Sequence, residues 1–247
     1  EIAANEALRF THAVAHMSQA ELNAMPGLSK RRAETAAAAA AVLNRILQRT
    51  QARRMVFSAY GLREGLLFKH LPKSVQIQDP LIAACEEKSA RLGRFPDHAS
   101  EITAWTGPLF EAESESSRRL RHCASLLSDI GWRVHPDHRA NQCLLEVVNS
   151  PFVGVNHISR VLLALSIYFR YRAEPAEGVV GSLIDFAGEA AGRARILGLA
   201  LRLGHTISGG AGGVLSKFRL QLAPRVLLLH MPKSHANLDG ELLRKRL

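Results

Sequence analysis

The sequence predicts a mainly α protein, with a short α/β segment ahead of the helices and a small basic α/β tail behind them. Three observations carry this. Residues 79–203 read as medium-length helices separated by short breaks at Gly93, Pro96, Gly107, Pro108, Gly131, Pro136, Pro151, Gly154, Pro175 and Gly178. Ahead of them, residues 1–61 run helix, turn, helix, strand, and behind them a glycine-rich break at 208–213 precedes two short apolar runs of strand character.

In chain order, Leu8, Val14, Ala15 and Met17 give residues 2–22 one apolar helical face, which Pro26 and Gly27 end. Ser29 is a candidate cap for a second helix that runs through the alanines 36–41 to Leu47. Alanine is the best helix former, and its small side chain lets another element approach closely. Val56, Phe57 and Tyr60 predict a buried strand over residues 54–60, ending at Gly61. That strand has no evident partner within residues 1–72, so its backbone is expected to pair with strands from elsewhere. Residues 218–222 and 225–230 predict a strand pair, and residues 241–247 begin a helix that stops uncapped. Both ends therefore read as cuts through structure that continues in a longer parent chain. Three segments result: 1–72, 73–203 and 204–247.

Of the 247 residues, 47% are hydrophobic and 22% charged, an ordinary globular mixture. Three cysteines, Cys85, Cys123 and Cys143, provide neither an even disulfide framework nor a CxxC metal knuckle, so reduced thiols and a cytoplasmic location are expected. The apolar runs at 161–169 and 196–201 are far shorter than the roughly 20 residues of a membrane span, and the first ten residues lack the form of an export signal. Net charge is +10, unevenly placed: +5 over residues 1–72, −1 over 73–200 and +6 over 201–247. Basic ends around a near-neutral middle point to an anionic partner held by the flanks, with solubility as the plainer reading.

The segment SAYGLREGLL at residues 58–67 closely resembles the signature of the exopolyphosphatase and guanosine pentaphosphate phosphohydrolase (Ppx/GppA) family. PGLS at 26–29 followed by Arg32 and Ala33 is similar to the helix start that precedes that signature. LLSDIGWR at 126–133 with HPDHRA at 135–140 resembles the family's carboxy-terminal helical domain, and IYFRYR at 167–172 is similar to the alphaproteobacterial exopolyphosphatase branch. The resemblance implies the end of an actin-like (ribonuclease-H-like) domain, then an HD-like all-α domain, then the basic tail. It also implies a parent enzyme that removes terminal phosphate from polyphosphate with a divalent metal, Mg or Mn. The family's glycine-rich phosphate loops and catalytic carboxylates belong to its front part, and no segment here matches them. This chain is thus expected to bind polyphosphate or to form a homodimer beside the missing amino-terminal catalytic domain, without catalytic residues of its own. A guanosine pentaphosphate phosphohydrolase part and a non-catalytic dimerisation scaffold are the alternatives.

Candidate polyphosphate contacts are Lys30, Arg31, Arg32, Arg63, Lys217, Arg219 and Arg225. Three cations at a helix start oppose the helix dipole, so an anion bridging them is one reading and plain solvation the other. Arg63 has the fork of donors suited to phosphate. At a strand end beside Glu64, an interdomain ion pair is the commoner role.

His98, Ser128, Asp129, His135 and His138 fall where an HD-type site takes its ligands, but serine stands where the paired histidine belongs. A hydroxyl is a poor substitute for imidazole. The set reads as degenerate, with no metal or other cofactor in this chain and Asp129 as a hydrogen-bonding or capping residue. His12 and His16 lack the glutamate of HExxH, and residues 208–213 lack both phosphate-loop patterns. Trp105, Trp132, Phe95, Phe110 and Phe169 read as core. With only 14 aromatic residues and no aromatic and basic alternation, specific nucleic-acid binding is not expected.

Overall fold

A computed structural model describes every residue of the chain except Ala59, Pro96 and Arg225. The predicted break at Pro96 and the predicted contact at Arg225 thus lie outside the described residues. The chain is mainly helical and divides into two units, Glu1–Gln76 and Ile77–Leu247.

The first unit contains β1 (Ile2–Ala3), α1 (Ala4–Ala15), α2 (Gln19–Ala24), α3 (Lys30–Thr50), β2 (Arg54–Met55), α4 (Leu62–Lys69) and α5 (Lys73–Gln76). A reciprocal cap starts α2: the Glu21 carboxylate accepts the Ser18 N–H at 2.7 Å, and Ser18 Oγ accepts the Glu21 N–H at 3.3 Å. Small residues let α1 lie close to α3, with Ala7 and Ala33 fully covered. Asn44 Nδ2 ties the pair by donating to the Leu8 carbonyl and to Thr11 Oγ1, each at 2.9 Å. The core beneath is small, built on Val14, Leu22, Ala33 and Ala40.

The strand expected over 54–60 is confined to Arg54–Met55, and its partner lies inside the unit: Ile2 opposes Met55 in an antiparallel pair. Past it, Gly61 and Glu64 redirect the chain. The Glu64 carboxylate accepts the Gly61 N–H at 2.6 Å and caps α4, so the apolar residues that follow Gly61 wind into a helix. Glu64 is therefore a helix cap. Residues 56–77 leave a run of apolar side chains in solvent, Leu62 at 94% and Leu67 at 68% exposure among them.

The second unit contains α6 (Pro80–Leu92), α7 (His98–Trp105), α8 (Glu115–Leu127), α9 (Pro136–Val148), α10 (His157–Tyr171), α11 (Val179–Ala187), α12 (Glu189–Ser208), β3 (Arg219–Ala223), β4 (Val226–His230) and α13 (Glu241–Arg246). Helices α6, α8, α9 and α10 are capped by side chains. Asp79 Oδ1 accepts the N–H groups of Leu81 and Ile82 at 2.9 and 3.2 Å, with Pro80 at the first helical position. Arg119 grips the same carboxylate, Nη2 to Oδ1 at 2.7 Å, and holds it below the usual range. Ser114 caps α8 and Asn156 caps α10.

Helix α10 is central. Nine consecutive residues, 161–169, are buried, which requires neighbours all round, and α8, α9, α11 and α12 supply them. The closest approach is at Gly198 of α12, where an added Cβ would lie 2.5 Å from Phe169 Cβ and 2.6 Å from the Ser166 carbonyl oxygen. Among the described residues, no helix is long and apolar enough to cross a membrane.

The predicted tail strands form an antiparallel hairpin, with Arg219 opposite His230 and Ala223 opposite Val226. Leu215, Phe218, Leu220 and Leu243 join the same core as the helices, and Trp105 Nε1 donates to the Phe218 carbonyl at 3.1 Å. The change of charge near residue 203 falls within α12. Cys85, Cys123 and Cys143 are unpaired and buried, and burial pushes the Cys143 thiol up to about 12, so it stays protonated and unreactive.

Because Gly198 sits against backbone, Gly198→Ala should destabilise the second unit by about 1–3 kcal/mol through overpacking. Urea unfolding followed by circular dichroism checks this; an unchanged midpoint counts against the close α10–α12 contact.

Candidate functional site

Three helix ends of the second unit converge. His98 is the first residue of α7, Ser128 and Asp129 follow the last turn of α8, and His205 and Ser208 lie in the last turn of α12. They meet around a cavity of about 10 Å³, lined in part by Phe95, His98, Ser128, Asp129, His205 and Gly210. That is room for about one water molecule, whereas small-molecule pockets run to about 300 Å³ or more.

His98 is buried and its ring is fixed at both nitrogens, with Glu101 Oε2 3.1 Å from Nδ1 and Ser208 Oγ 3.0 Å from Nε2. A carboxylate only accepts, so Nδ1 carries a proton, while the Ser208 hydroxyl beside Nε2 also lies 2.9 Å from the Gly204 carbonyl. Burial lowers the His98 pKa, and Glu101 opposes this in part. Glu101 also accepts the N–H groups of Gly213 and Ser216, each at 2.9 Å, so the end of the glycine-rich break is anchored here. Gly209, with φ +61°, makes the left-handed turn that ends α12.

His205 packs edge-on to His98, with ring centroids 5.4 Å apart. Its Nε2 lies 2.7 Å from Ser128 Oγ, which itself donates to the Ser125 carbonyl at 2.7 Å. The hydroxyl proton is thereby used, so His205 donates from Nε2, and its buried Nδ1 has no partner among the described residues. Burial holds His205 well below the usual histidine range, and the nearby charges of Arg170 and Arg94 add to this. Tyr171 closes the far side, donating to the Ser128 carbonyl and accepting the Gly131 N–H, both at 3.1 Å. Its own burial pushes it up to about 12.

Asp129 is fully engaged. Arg94 Nε and Nη2 reach its two carboxylate oxygens at 2.9 and 2.7 Å, and the Arg94 backbone N–H adds a third bond at 3.1 Å. Arg94 also lies over the rings of Phe95 and Trp132. His135 and His138 stand apart from this cluster, exposed at the start of α9, where His135 Nδ1 accepts the Asp137 N–H at 3.4 Å. Among the described residues no three His, Cys, Asp or Glu side chains are grouped to hold a metal ion. The divalent metal that phosphoryl-transfer chemistry calls for does not fit here: a guanidinium occupies both oxygens of Asp129, and the neighbouring position is a hydroxyl used by His205.

Of the other candidates, Lys30, Arg31 and Arg32 are exposed at the start of α3, Arg63 is exposed on α4, and Lys217 and Arg219 are exposed on either side of the buried Phe218. Trp105 and Phe169 are buried as expected of core residues, Phe110 and Trp132 are partly covered, and Phe95 is 45% exposed. His12 and His16 are exposed, their ring centroids 4.3 Å apart.

Sequence reasoning passed over Arg94, Glu101, His205 and Ser208, and also Glu113. The Glu113 side chain is 2% exposed and receives Arg121 at 2.6 Å and Arg193 at 2.9 Å. No local pattern marks these pairs, since 35 positions separate Arg94 from Asp129 and 77 separate Ser128 from His205.

Two family models match the chain: the Ppx/GppA phosphatase family over residues 1–74 and "Exopolyphosphatase, C-terminal" over residues 81–247. The chain therefore belongs to the Ppx/GppA phosphatase family. Within it, the larger part of the chain is the carboxy-terminal domain of an exopolyphosphatase-type protein. No curated protein matches it.

Both His98 and His205 are held neutral in the fold, so the unfolded chain binds more protons once pH drops below the ordinary histidine value of about 6.5. Stability is therefore full above that value and falls below it, by up to about 1.4 kcal/mol per pH unit for each histidine. Urea midpoints between pH 7 and pH 5 should decline, and His205→Gln should flatten the decline. A wild-type midpoint that does not change over this window would refute the assignment.

Proposed function

We propose that this chain is the polyphosphate-engaging part of an exopolyphosphatase, gripping linear polyphosphate without cutting it. The observation that carries this is how the cations are partnered. Lys88, Arg94, Arg119, Arg121 and Arg193 all meet carboxylates. Among the described residues Lys30, Arg31, Arg32, Arg63, Lys217 and Arg219 are exposed and enter no ion pair. These six cations carry positive charge that no internal acid neutralises, within flanks whose net charges are +5 and +6, and a repeating phosphate chain would supply the missing anions in series. Arg225 is proposed as a further contact on the sequence alone.

The exposed apolar run over residues 56–77 supports a second element of the reading, a protein partner for the first unit, which we propose to be the actin-like catalytic domain. A homodimer and an HD-like origin of the helical domain belong to the same proposal, as does a Mg or Mn requirement for the parent enzyme. The match to an exopolyphosphatase carboxy-terminal model favours polyphosphate over guanosine pentaphosphate as the ligand.

Fluorescence anisotropy at several salt concentrations tests the grip. Affinity for polyphosphate should fall steeply with salt, and neutralising Arg31, Arg32 or Arg63, or Lys217 or Arg219, should weaken binding and flatten the logarithmic salt slope by about one unit or less per contact. Replacing Arg91 or Arg118 should do much less. A flat salt dependence, or equal losses from both groups, would falsify the reading, and altered oligomer size with no polyphosphate effect would favour a scaffold.

The purified chain should also release no phosphate from polyphosphate with added Mg or Mn. Its one candidate metal-binding carboxylate in the helical domain, Asp129, is held by Arg94. Release above a mock-purified control, lost on unfolding, would show otherwise.

A further inference from the structure

Two histidines of the first unit have no part in gripping polyphosphate. His12 lies in the last turn of α1, and His16 ends that helix. Residues four apart share one helical face, and here the two rings stand side by side, with centroids 4.3 Å apart and planes tilted by 46°. Both side chains are exposed, while Thr11 and Val14 of the same turn are buried. Asn44 of α3 holds this turn through its bonds to the Leu8 carbonyl and Thr11 Oγ1, so the backbone under the rings is fixed before any ligand arrives.

The pair differs from ordinary surface histidines in two further respects. His16 Nδ1 lies 2.7 Å from the His12 carbonyl oxygen. A carbonyl only accepts, so Nδ1 carries the proton, and in the neutral ring Nε2 keeps the lone pair. Metal-bound imidazoles are almost always held this way, with the second nitrogen donating to a carbonyl or a carboxylate. The rings also sit at the C-terminal end of α1, where the helix dipole favours positive charge. His135 and His138 make the contrast. Their centroids are 5.8 Å apart, and they stand at the N-terminal end of α9, where the dipole opposes a cation. His135 Nδ1 already accepts the Asp137 N–H.

We infer that His12 and His16 form a binding site for one divalent transition-metal ion of the zinc class, held by the two imidazoles with water in its other positions. Imidazole suits zinc, copper and nickel, whereas Mg and Mn prefer oxygen donors. Zinc takes imidazole nitrogen at about 2.0–2.1 Å, and two rings side by side on one fixed turn reach a common ion by small side-chain rotations. Among the described residues no third His, Cys, Asp or Glu is grouped with the pair, so the ion stays open to solvent rather than enclosed. Ala13 stands where the HExxH pattern has its general base, so the site binds without hydrolysing. The bound ion ties His12 to His16 across the last turn of α1. This site uses neither the cations proposed to hold polyphosphate nor the Mg or Mn proposed for the parent enzyme, and it stands or falls apart from them.

Calorimetric titration of the metal-stripped, tag-free 247-residue protein with zinc chloride tests it, with magnesium chloride as the comparison. Saturable zinc binding is expected, and none with magnesium. His12→Gln and His16→Gln should each weaken zinc binding about tenfold or more, since even the groups that orient a metal ligand are worth about 10–100-fold in affinity. His135→Gln should leave the affinity unchanged. The double variant His16→Gln/Ala13→His keeps the number of histidines but places them at adjacent positions, which do not face each other on a helix, and it should not restore binding. Circular dichroism confirms that each variant is folded. Absence of saturable zinc binding, full affinity in His16→Gln/Ala13→His, or equal losses in His16→Gln and His135→Gln overturns the inference.

Discussion

The complete burial of residues 161–169 on α10 is the constraint from which the rest of the second unit follows. A helix that is apolar on every side needs neighbours on every side, and Gly198 lets α12 come close enough to be one of them. Once α12 is seated there, its last turn lies beside the end of α8. His205 then meets Ser128, and Ser208 meets His98. The polar cluster is positioned by the core rather than by its own hydrogen bonds. Its members are helix ends, and helix ends are where unsatisfied backbone groups and polar caps collect.

The same packing gives the members of this cluster protein partners for their polar groups. Asp129 is buried, and a buried carboxylate needs a countercharge. Arg94 supplies one with a planar fork and adds its own backbone N–H. Two neutral histidines then need only hydroxyl and carboxylate partners, and they find them on adjacent helices. The arrangement is stable at neutral pH and costly below the ordinary histidine pKa, because both imidazoles are held neutral in the fold.

Legibility in the sequence tracks the range of the interaction responsible. The helices between Asp79 and Leu203 were readable because capping and apolar spacing are local. The hairpin over Arg219–Ala223 and Val226–His230 was readable because aliphatic runs flank a short turn. Residues 54–67 misled, since Val56 and Phe57 suit a strand while Gly61, with no side chain of its own, gains its cap from Glu64 three positions on. His98 and Asp129 were legible through a family resemblance. Arg94 and His205 were not, because nothing near them in sequence reveals that the α7 and α12 ends share one cavity with α8. Nor could the sequence distinguish partnered arginines from unpartnered ones: Arg121 and Arg193 share a single carboxylate although 72 positions separate them.

That last distinction bears on how positive charge works in this chain. Exposed cations such as Arg31 and Lys217 act through a field that physiological salt screens within about 8–10 Å, so any pull they exert on a polyanion would depend on number and repetition. Half-buried arginines such as Arg170 and Arg202 are screened far less, and what they lack is a specific acceptor at a buried N–H. The first kind suits a long flexible chain of phosphates with no fixed register. The second depends on what is packed directly against it.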